Sequence, residues 1–451
     1  MLTSSSNVWV MSHHASPMST TLGGSSRRPQ TTLRGKLVTP RHAVRGGRTG
    51  GFWSVTASNC ESSSEQLRKW EVGRREALCL PAASMVLAAT AASASPQVVS
   101  LDSTWVTESY AAGTDFALDA YESMRDDAGR TPKFIEAIQQ RLKGKEGRLS
   151  VVDIGTGPFA LLAIAAANAG ARKVYAIEAD PEVAKLARKA IEDSGVPKGT
   201  IEVLEGYSTE VALPEKVDLL VAEVIGSVAT EEGVYRTIKD AQARFLLNPA
   251  NPGSYIPLRV QTMVAPAAYA FHYMIAAEGR KAAGLTSDEG PLRLNCQDTT
   301  LTLMDEPQVF EDFRYNDSAL LSAGRWTPPT DLVFKVSGKK LAENTQLYVR
   351  NLGFDGVSYS DAKLVSSSVA RGFSGIALWP RLVLDAEEKL VVEARGPRGE
   401  AQKSHWQTVL PLMTAAPLPL AVGDTIVVNG SAQFDGIKPP VYTINANITR
   451  I

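Results

Sequence analysis

The stretch from Leu149 to Glu178 restricts the fold more than any other part of this chain. LSVVDI (Leu149–Ile154) is a short β-branched run that ends in the turn Gly155-Thr156-Gly157-Pro158-Phe159. A helical run from Ala160 to Ala169 follows, with Gly170 placed to end it. A second strand, Lys173 to Ile177, then meets Glu178. Strand, glycine turn, helix, strand and acid is the order of a Rossmann-like nucleotide or nucleoside fold. Gly155 and Gly157 let the backbone approach a ligand where a Cβ would clash. Glu178 lies 23 residues after Gly155 and, at the strand tip, can accept hydrogen bonds from both ribose hydroxyls. Glycine in such turns also serves structure alone, so these residues set a fold class and leave the ligand open.

The turn itself narrows the ligand. The third glycine of a dinucleotide fingerprint is replaced by Ala160. A pyrophosphate needs free amides at the helix start. Pro158 has none to give, and Phe159 crowds the approach. A ligand without phosphate, such as S-adenosylmethionine, makes no such demand. Asp153, an acid in an otherwise apolar strand end, can orient the turn amides and meet that ligand's ammonium. These residues favour a methyltransferase over a dehydrogenase.

A second constraint lies in VAEVIGSVATEE, Val221 to Glu232, which follows an apolar strand from Val217 to Val221. It places Glu223 and Glu232 nine residues apart in one short loop. Two buried like charges raise at least one pKa unless a cation lies between them. A guanidinium suits that gap, because it is always charged and offers a planar fork of donors. The competing reading is a surface loop with three incidental acids. Glu231, beside Glu232, is the rival for the second position.

Five stretches, in chain order, resemble the protein arginine methyltransferases: YESMRDDAGRTPKF (Tyr121–Phe134), VVDIGTGPF, GARKVYAIEAD (Gly170–Asp180), the two-glutamate loop, and KSHWQTVLPL (Lys403–Leu412). The resemblance covers about residues 105 to 451. It implies a Rossmann-like class I methyltransferase domain, then an antiparallel β-barrel domain with a dimerisation arm. It puts Met124 on the family's N-terminal methionine and Arg130 on the arginine that pairs with the cofactor carboxylate. It makes Glu223 and Glu232 the grip on a guanidinium, with His405 on a loop that completes the pocket from the second domain. Arg130, Asp153, Gly155, Gly157, Glu178 and Ser208 would form the cofactor site for S-adenosylmethionine. The implied partner is a basic or arginine-containing protein, met by a homodimer. The family's N-terminal tyrosine pair has no match in Tyr110–Phe116, and Ser404 replaces a threonine. Gly226-Ser227 follows the symmetric-dimethylating branch while Met124 departs from it, so the product type stays open. A small-molecule methyltransferase and a catalytically silent scaffold remain the alternatives.

The first hundred residues have a different character. No Asp or Glu precedes Glu61, whereas seven Arg or Lys and many Ser and Thr do, which is the composition of an organelle transit peptide (1–60). A second targeting segment (61–94) follows, with Arg74-Arg75, an apolar run from Ala77 to Ala94 and a closing Ala92-Ser93-Ala94. Together they resemble a bipartite chloroplast presequence, with stroma and thylakoid lumen both open. The apolar run is weak as a permanent span, so no stable membrane span is expected in the mature form. The full chain carries 47 basic and 48 acidic side chains; without residues 1–94 the net charge becomes −8. An acidic surface disfavours nucleic acid and attracts basic substrates. Cys296, His272 and His405 would be the remaining Cys and His, too few for a disulfide framework or a zinc cluster. The expected domains are 100–257 and 258–451, hinged at Ile256-Pro257. The second should be antiparallel β through runs such as Gln346–Leu352, Arg381–Asp385 and Asp424–Asn429, with a helical arm at Tyr269–Gly290.

The targeting expectation has a direct check. A fluorescent protein fused behind Met1–Cys60 should enter plastids, and Arg74→Lys with Arg75→Lys should block only a later lumenal step. Unaltered processing and location of the doubly substituted protein would remove that second step.

Overall fold

Strand β1 (Gln97–Val106) alternates exposed and half-buried positions, and it finds its partner at the far end of the chain. It runs antiparallel to residues 441–450, with Gln97 opposite Arg450 and Val106 opposite Val441. The computed structural model describes residues 97–107, 118–275, 290–434 and 439–451. The two targeting segments, the Tyr110–Phe116 stretch and residues 276–289 of the expected arm lie outside the described residues.

Two helices, α1 (Leu118–Arg125) and α2 (Thr131–Leu142), lead into the Rossmann-like half. Its elements are β2 (Ser150–Ile154), α3 (Leu161–Asn168), β3 (Lys173–Glu178), α4 (Pro181–Asp193), β4 (Ile201–Glu205), β5 (Leu219–Ala222), α5 (Val234–Arg244) and β6 (Tyr255–Ile256). The strands pair in the order β4-β3-β2-β5-β6, all parallel. Every residue of β2 and β5 is buried, as a strand covered on both faces requires. Asp180 starts α4 by accepting the amides of Glu182 and Val183, with Pro181 fixing the first turn. The chain leaves β2 toward β3 on one side and returns to β5 on the other. The turns after β2 and β5 therefore diverge and open a crevice at the carboxyl ends of these strands. Val217, expected inside a strand, makes only an isolated bridge to Leu246.

After the cis peptide Ile256-Pro257 the chain enters β7 (Arg259–Tyr269) and α6 (His272–Ile275). Then come β8 (Leu292–Asn295), β9 (Leu301–Leu303), β10 (Gln308–Arg314), α7 (Ser318–Ala323), β11 (Arg325–Trp326) and β12 (Leu332–Lys335). A helical pair, α8 (Gly338–Asn351) and α9 (Tyr359–Arg371), precedes β13 (Gly372–Val383). The remaining strands are β14 (Val391–Glu393), β15 (Gln407–Leu410), β16 (Leu418–Pro419), β17 (Thr425–Gln433) and β18 (Val441–Arg450). One sheet follows β10-β7-β13-β15-β8, with β9 added to β7 and β14 and β16 added to β13; the other follows β1-β18-β17-β11, with β12 on β17.

Three expectations need correction. The second half is antiparallel, but its described strands form two separate sheets and no closed barrel, because the edge strands of one do not pair with those of the other. β1 belongs to the second half, so a first domain beginning at residue 100 does not hold. Gln346–Leu352 is helical: Ser337 caps α8 through the Lys340 amide, and Leu341, Asn344, Thr345 and Tyr348 bury one helical stripe. A seven-residue window was too short to separate that stripe from an alternation of two. A single apolar core joins both halves, from Phe134 and Ile138 to Trp379 and Ile448. Among the described residues, no helix is long and apolar enough to cross a membrane.

Trp105 tests the placement of β1. It is 6% exposed and stacks on Tyr442, with ring centroids 5.5 Å apart, yet its indole N–H has no partner among the described residues. Trp105→Ala should cost about 3–5 kcal/mol in denaturant unfolding, while Trp105→Phe keeps the stack and should cost about 1 kcal/mol or less. Equal effects of the two substitutions would mean the stack is not what secures β1.

Candidate active site

The crevice holds a cavity of about 770 Å³, walled by α1, the glycine turn, the tip of β3, the loop after β5 and residues 404–407. Gly155 and Gly157 both have left-handed φ, 74° and 67°. The Gly157 amide donates to Glu178 Oε2 (3.0 Å), and the Asp180 amide to Glu178 Oε1 (3.1 Å), so the acid is fixed at the strand tip beside the turn. Asp153 is buried, and that burial pushes its carboxyl up to about 6 against the Thr156 hydroxyl bond at 2.7 Å. It does not orient the turn amides as expected: the Gly155 and Thr156 amides both donate to Ile177 O, at 3.0 and 3.1 Å. Met124 and Ser208 both line the cavity. The Met124 carbonyl accepts from Arg130 Nη1 and the Thr131 hydroxyl, each at 3.1 Å. The Ser208 carbonyl accepts from Arg244.

The acids gather at the other end. Arg130 is buried and ion-paired through Nη2 to Glu223, and its Nε has no partner among the described residues. Glu231 turns inward: Arg293 of β8 grips it in bidentate fashion (3.0 and 2.8 Å), and the Val228 amide donates to it (3.1 Å). Its side chain lies over Gly226, where a Cβ would overlap Glu231 Cγ. Glu232 faces the cavity. Burial, Glu231 and Glu223 push its carboxyl up to about 8, with Arg293 opposing. The adjacent acids differ in their partners: Glu231 is paired with Arg293, and no ion pair to Glu232 is found among the described residues.

His405 comes from the second half of the chain. Its Nδ1 lies 2.8 Å from Asp127 Oδ2, and its amide donates to the same oxygen at 3.0 Å. Asp127 Oδ1 accepts the amides of Gly129 (2.9 Å) and Arg130 (3.1 Å). Burial alone would raise the Asp127 carboxyl, but the His405 side-chain and backbone bonds outweigh it and hold it below the usual range. Trp406 Nε1 donates to Ile225 O (2.8 Å) and the Gln407 amide to Ser227 Oγ (3.0 Å), so this loop is tied directly to the glutamate loop. Asp127 and Arg293 were not anticipated. Asp127 stands beside a second aspartate in the same segment, and Arg293 sits in an ordinary alternating strand; neither neighbourhood singles it out.

These groups suit a nucleoside that carries an amino-acid end. Glu178 is held at the strand tip beside the turn, Arg130 is a buried guanidinium paired to Glu223 with its Nε unpartnered among the described residues, and Pro158 has no amide to give a phosphate. Glu232 lines the same cavity within electrostatic reach of Glu223, whose cation in this structure is Arg130.

Residues 129–241 match the family model for ribosomal protein L11 methyltransferase. Over 126 residues the chain is 37% identical to a probable histone-arginine methyltransferase CARM1 of Oryza sativa subsp. indica, covering 28% of this chain and 23% of that protein. It is 36% identical over 125 residues to protein arginine N-methyltransferase PRMT10 of Arabidopsis thaliana, 28% and 32% of the two chains, and 32% identical over 154 residues to a probable protein arginine N-methyltransferase 6 of the same plant, 34% of each. The matched region thus spans about a quarter to a third of these relatives. A chain of the Trypanosoma brucei PRMT1 enzyme-prozyme heterotetramer with AdoHcy shares the fold at a TM-score of 0.50 and 19% identity, over 71% of this chain and 89% of that one.

The Glu232 carboxyl dictates a pH response. It is neutral below about pH 8 in the free protein, and a bound cation favours its ionised form. Arginine amide should therefore bind more tightly as pH rises from 6 to 8 and should release a proton on binding. Calorimetry in two buffers of different ionisation enthalpy measures that proton. Affinity independent of pH across this range would exclude Glu232 from the cation site.

Proposed function

We propose that this relative of the protein arginine methyltransferases transfers the methyl group of S-adenosylmethionine to a guanidinium nitrogen of arginine in a protein substrate. The observation that carries the reading is the pairing of two half-sites in one cavity: Glu178 and Arg130 suit the donor, and Glu223 with Glu232 suits the acceptor. When bound, S-adenosylmethionine supplies a methyl group on sulfonium, a good leaving group. The protein's task is then positioning and electrostatics. Glu223 and Glu232 hold the guanidinium and concentrate electron density on the attacking nitrogen. As the new C–N bond forms and the C–S bond breaks, that nitrogen sheds a proton. Glu232, whose carboxyl titrates near neutrality, is placed to accept it, and the Asp127–His405 pair closes the same wall.

The substrate class follows from charge. A net charge of −8 without residues 1–94 draws basic chains to the cavity mouth. Lysine's compact ammonium cannot engage two opposed carboxylates in one plane as a guanidinium can. Action in the chloroplast and assembly as a homodimer through the segment after α6 belong to the same reading. Tyr273 and Met274, both exposed at the foot of that segment, offer apolar contacts for a second copy.

Glu223→Gln and Glu232→Gln should each lower turnover about a hundredfold or more, with S-adenosylhomocysteine affinity nearly unchanged. Glu231→Gln should act chiefly on stability, since it weakens the grip of Arg293. Mass spectrometry of the product decides the acceptor: methyl on lysine, on a carboxylate or on a small metabolite would overturn the arginine assignment and leave the fold untouched.

A further inference from the structure

Beneath the glutamate loop lies another acid that the reaction does not touch. Glu311 of β10 is 0% exposed and is no part of the cavity wall. The pairing of β10 with β7 shifts register between Val309 and Glu311, and such a bulge re-aims the side chain next to it. Glu311 Oε1 accepts the Thr230 hydroxyl and Oε2 the Thr262 hydroxyl, both at 2.6 Å. While Glu311 is ionised, each chain of bonds has one direction. The Ala229 amide donates to Thr262 Oγ1 (3.1 Å), so the Thr262 proton points to Glu311. The Thr230 proton also points to Glu311, so Tyr442, whose hydroxyl is 2.7 Å from Thr230 Oγ1, donates there. Both chains end on one carboxylate.

We propose that Glu311 is a positioning residue, which draws Ala229 and Thr230 onto the second half of the chain and so sets where Glu232 stands in the acceptor clamp. The inference rests on the reading of that loop as the clamp. Packing alone would not require an acid at this position. Burial pushes the Glu311 carboxyl up to about 7 even though both threonine bonds oppose it, and Glu231 adds repulsion. The groups facing Glu311 are the hydroxyls of Thr230, Thr262 and Tyr442 and, beyond them, Glu231 in the grip of Arg293. An acceptor-only group is the one that satisfies both inward-pointing hydroxyls. Once protonated below about pH 7, the carboxyl must itself donate, and one of the two threonine bonds reverses or breaks.

Glu311→Gln keeps the shape and replaces one acceptor by an N–H2 group that opposes a hydroxyl. Two measurements on the purified protein test it. Amide hydrogen exchange at residues 228–233, corrected for intrinsic rates, needs no activity: wild-type protection should fall as pH drops from 8 to 6, and in Glu311→Gln it should be about tenfold lower and lack the step near pH 7, keeping only the change near pH 8 that belongs to Glu232. Turnover should fall about tenfold or more, while S-adenosylhomocysteine affinity and the KM for an arginine-containing peptide change less than threefold. Thr262→Val, which removes one donor and leaves the carboxyl, should show a smaller loss in the same direction. Wild-type loop protection and turnover in a folded Glu311→Gln protein would overturn the proposal. A wild-type enzyme that methylates no arginine would fail the functional reading alone, because the exchange measurement would still report on Glu311.

Discussion

Three carboxylates at one end of the cavity and a fourth buried beneath them stand against two guanidinium groups. Glu223, Glu231, Glu232 and Glu311 interact electrostatically, and Arg130 and Arg293 are their cations. In a medium of low polarity such an imbalance cannot remain ionised. The protein resolves it by keeping acids near neutrality, with Glu311 pushed up to about 7 and Glu232 to about 8. The two arginines come from different halves of the chain, Arg130 from the start of α2 and Arg293 from β8. Compensating the acids consequently joins the halves, and the shared apolar core, rather than a flexible hinge, is what lies between them.

The parts legible in the sequence were those specified locally. The strand, turn and helix around Gly155 are set by β-branched runs, glycine and an alanine-rich segment, and they appear nearly where the residues place them. Helix α2 is specified locally as well, with a proline in its first turn and Phe134, Ala137, Ile138 and Leu142 on its buried face. The spacing of Glu223 and Glu232 carried the acid pair, because one short loop must deliver both. What stayed hidden depended on distant residues. Nothing near Glu231 announces that Arg293, 62 positions later, will turn it inward. Asp127 becomes distinct from Asp126 only when His405 arrives 278 residues on. The separation of the β region into two sheets depends on which edges meet, and alternation within a strand does not encode that.

The loop from Ser404 to Gln407 shows how the second half completes the first. Its bonds run to Asp127, Ile225 and Ser227, which lie on both sides of the cavity. A fragment ending after β6 would keep the parallel sheet and the glycine turn but lose the His405 wall and the Arg293 counter-charge. The glycine-turn side of the cavity is thus a property of a local fold, and the glutamate-loop side a property of both halves of the chain.

Pairing β1 with β18 also orders events in time. Residues 97–106 emerge early and cannot form their sheet until residues 441–450 exist, a separation whose closure entropy must be met late. Tyr442, on that late strand, stacks on Trp105 and bonds Thr230 beneath the glutamate loop. The glutamate loop therefore cannot reach its final geometry on a nascent chain. A polypeptide built this way settles that loop only once residues 441–450 have been made.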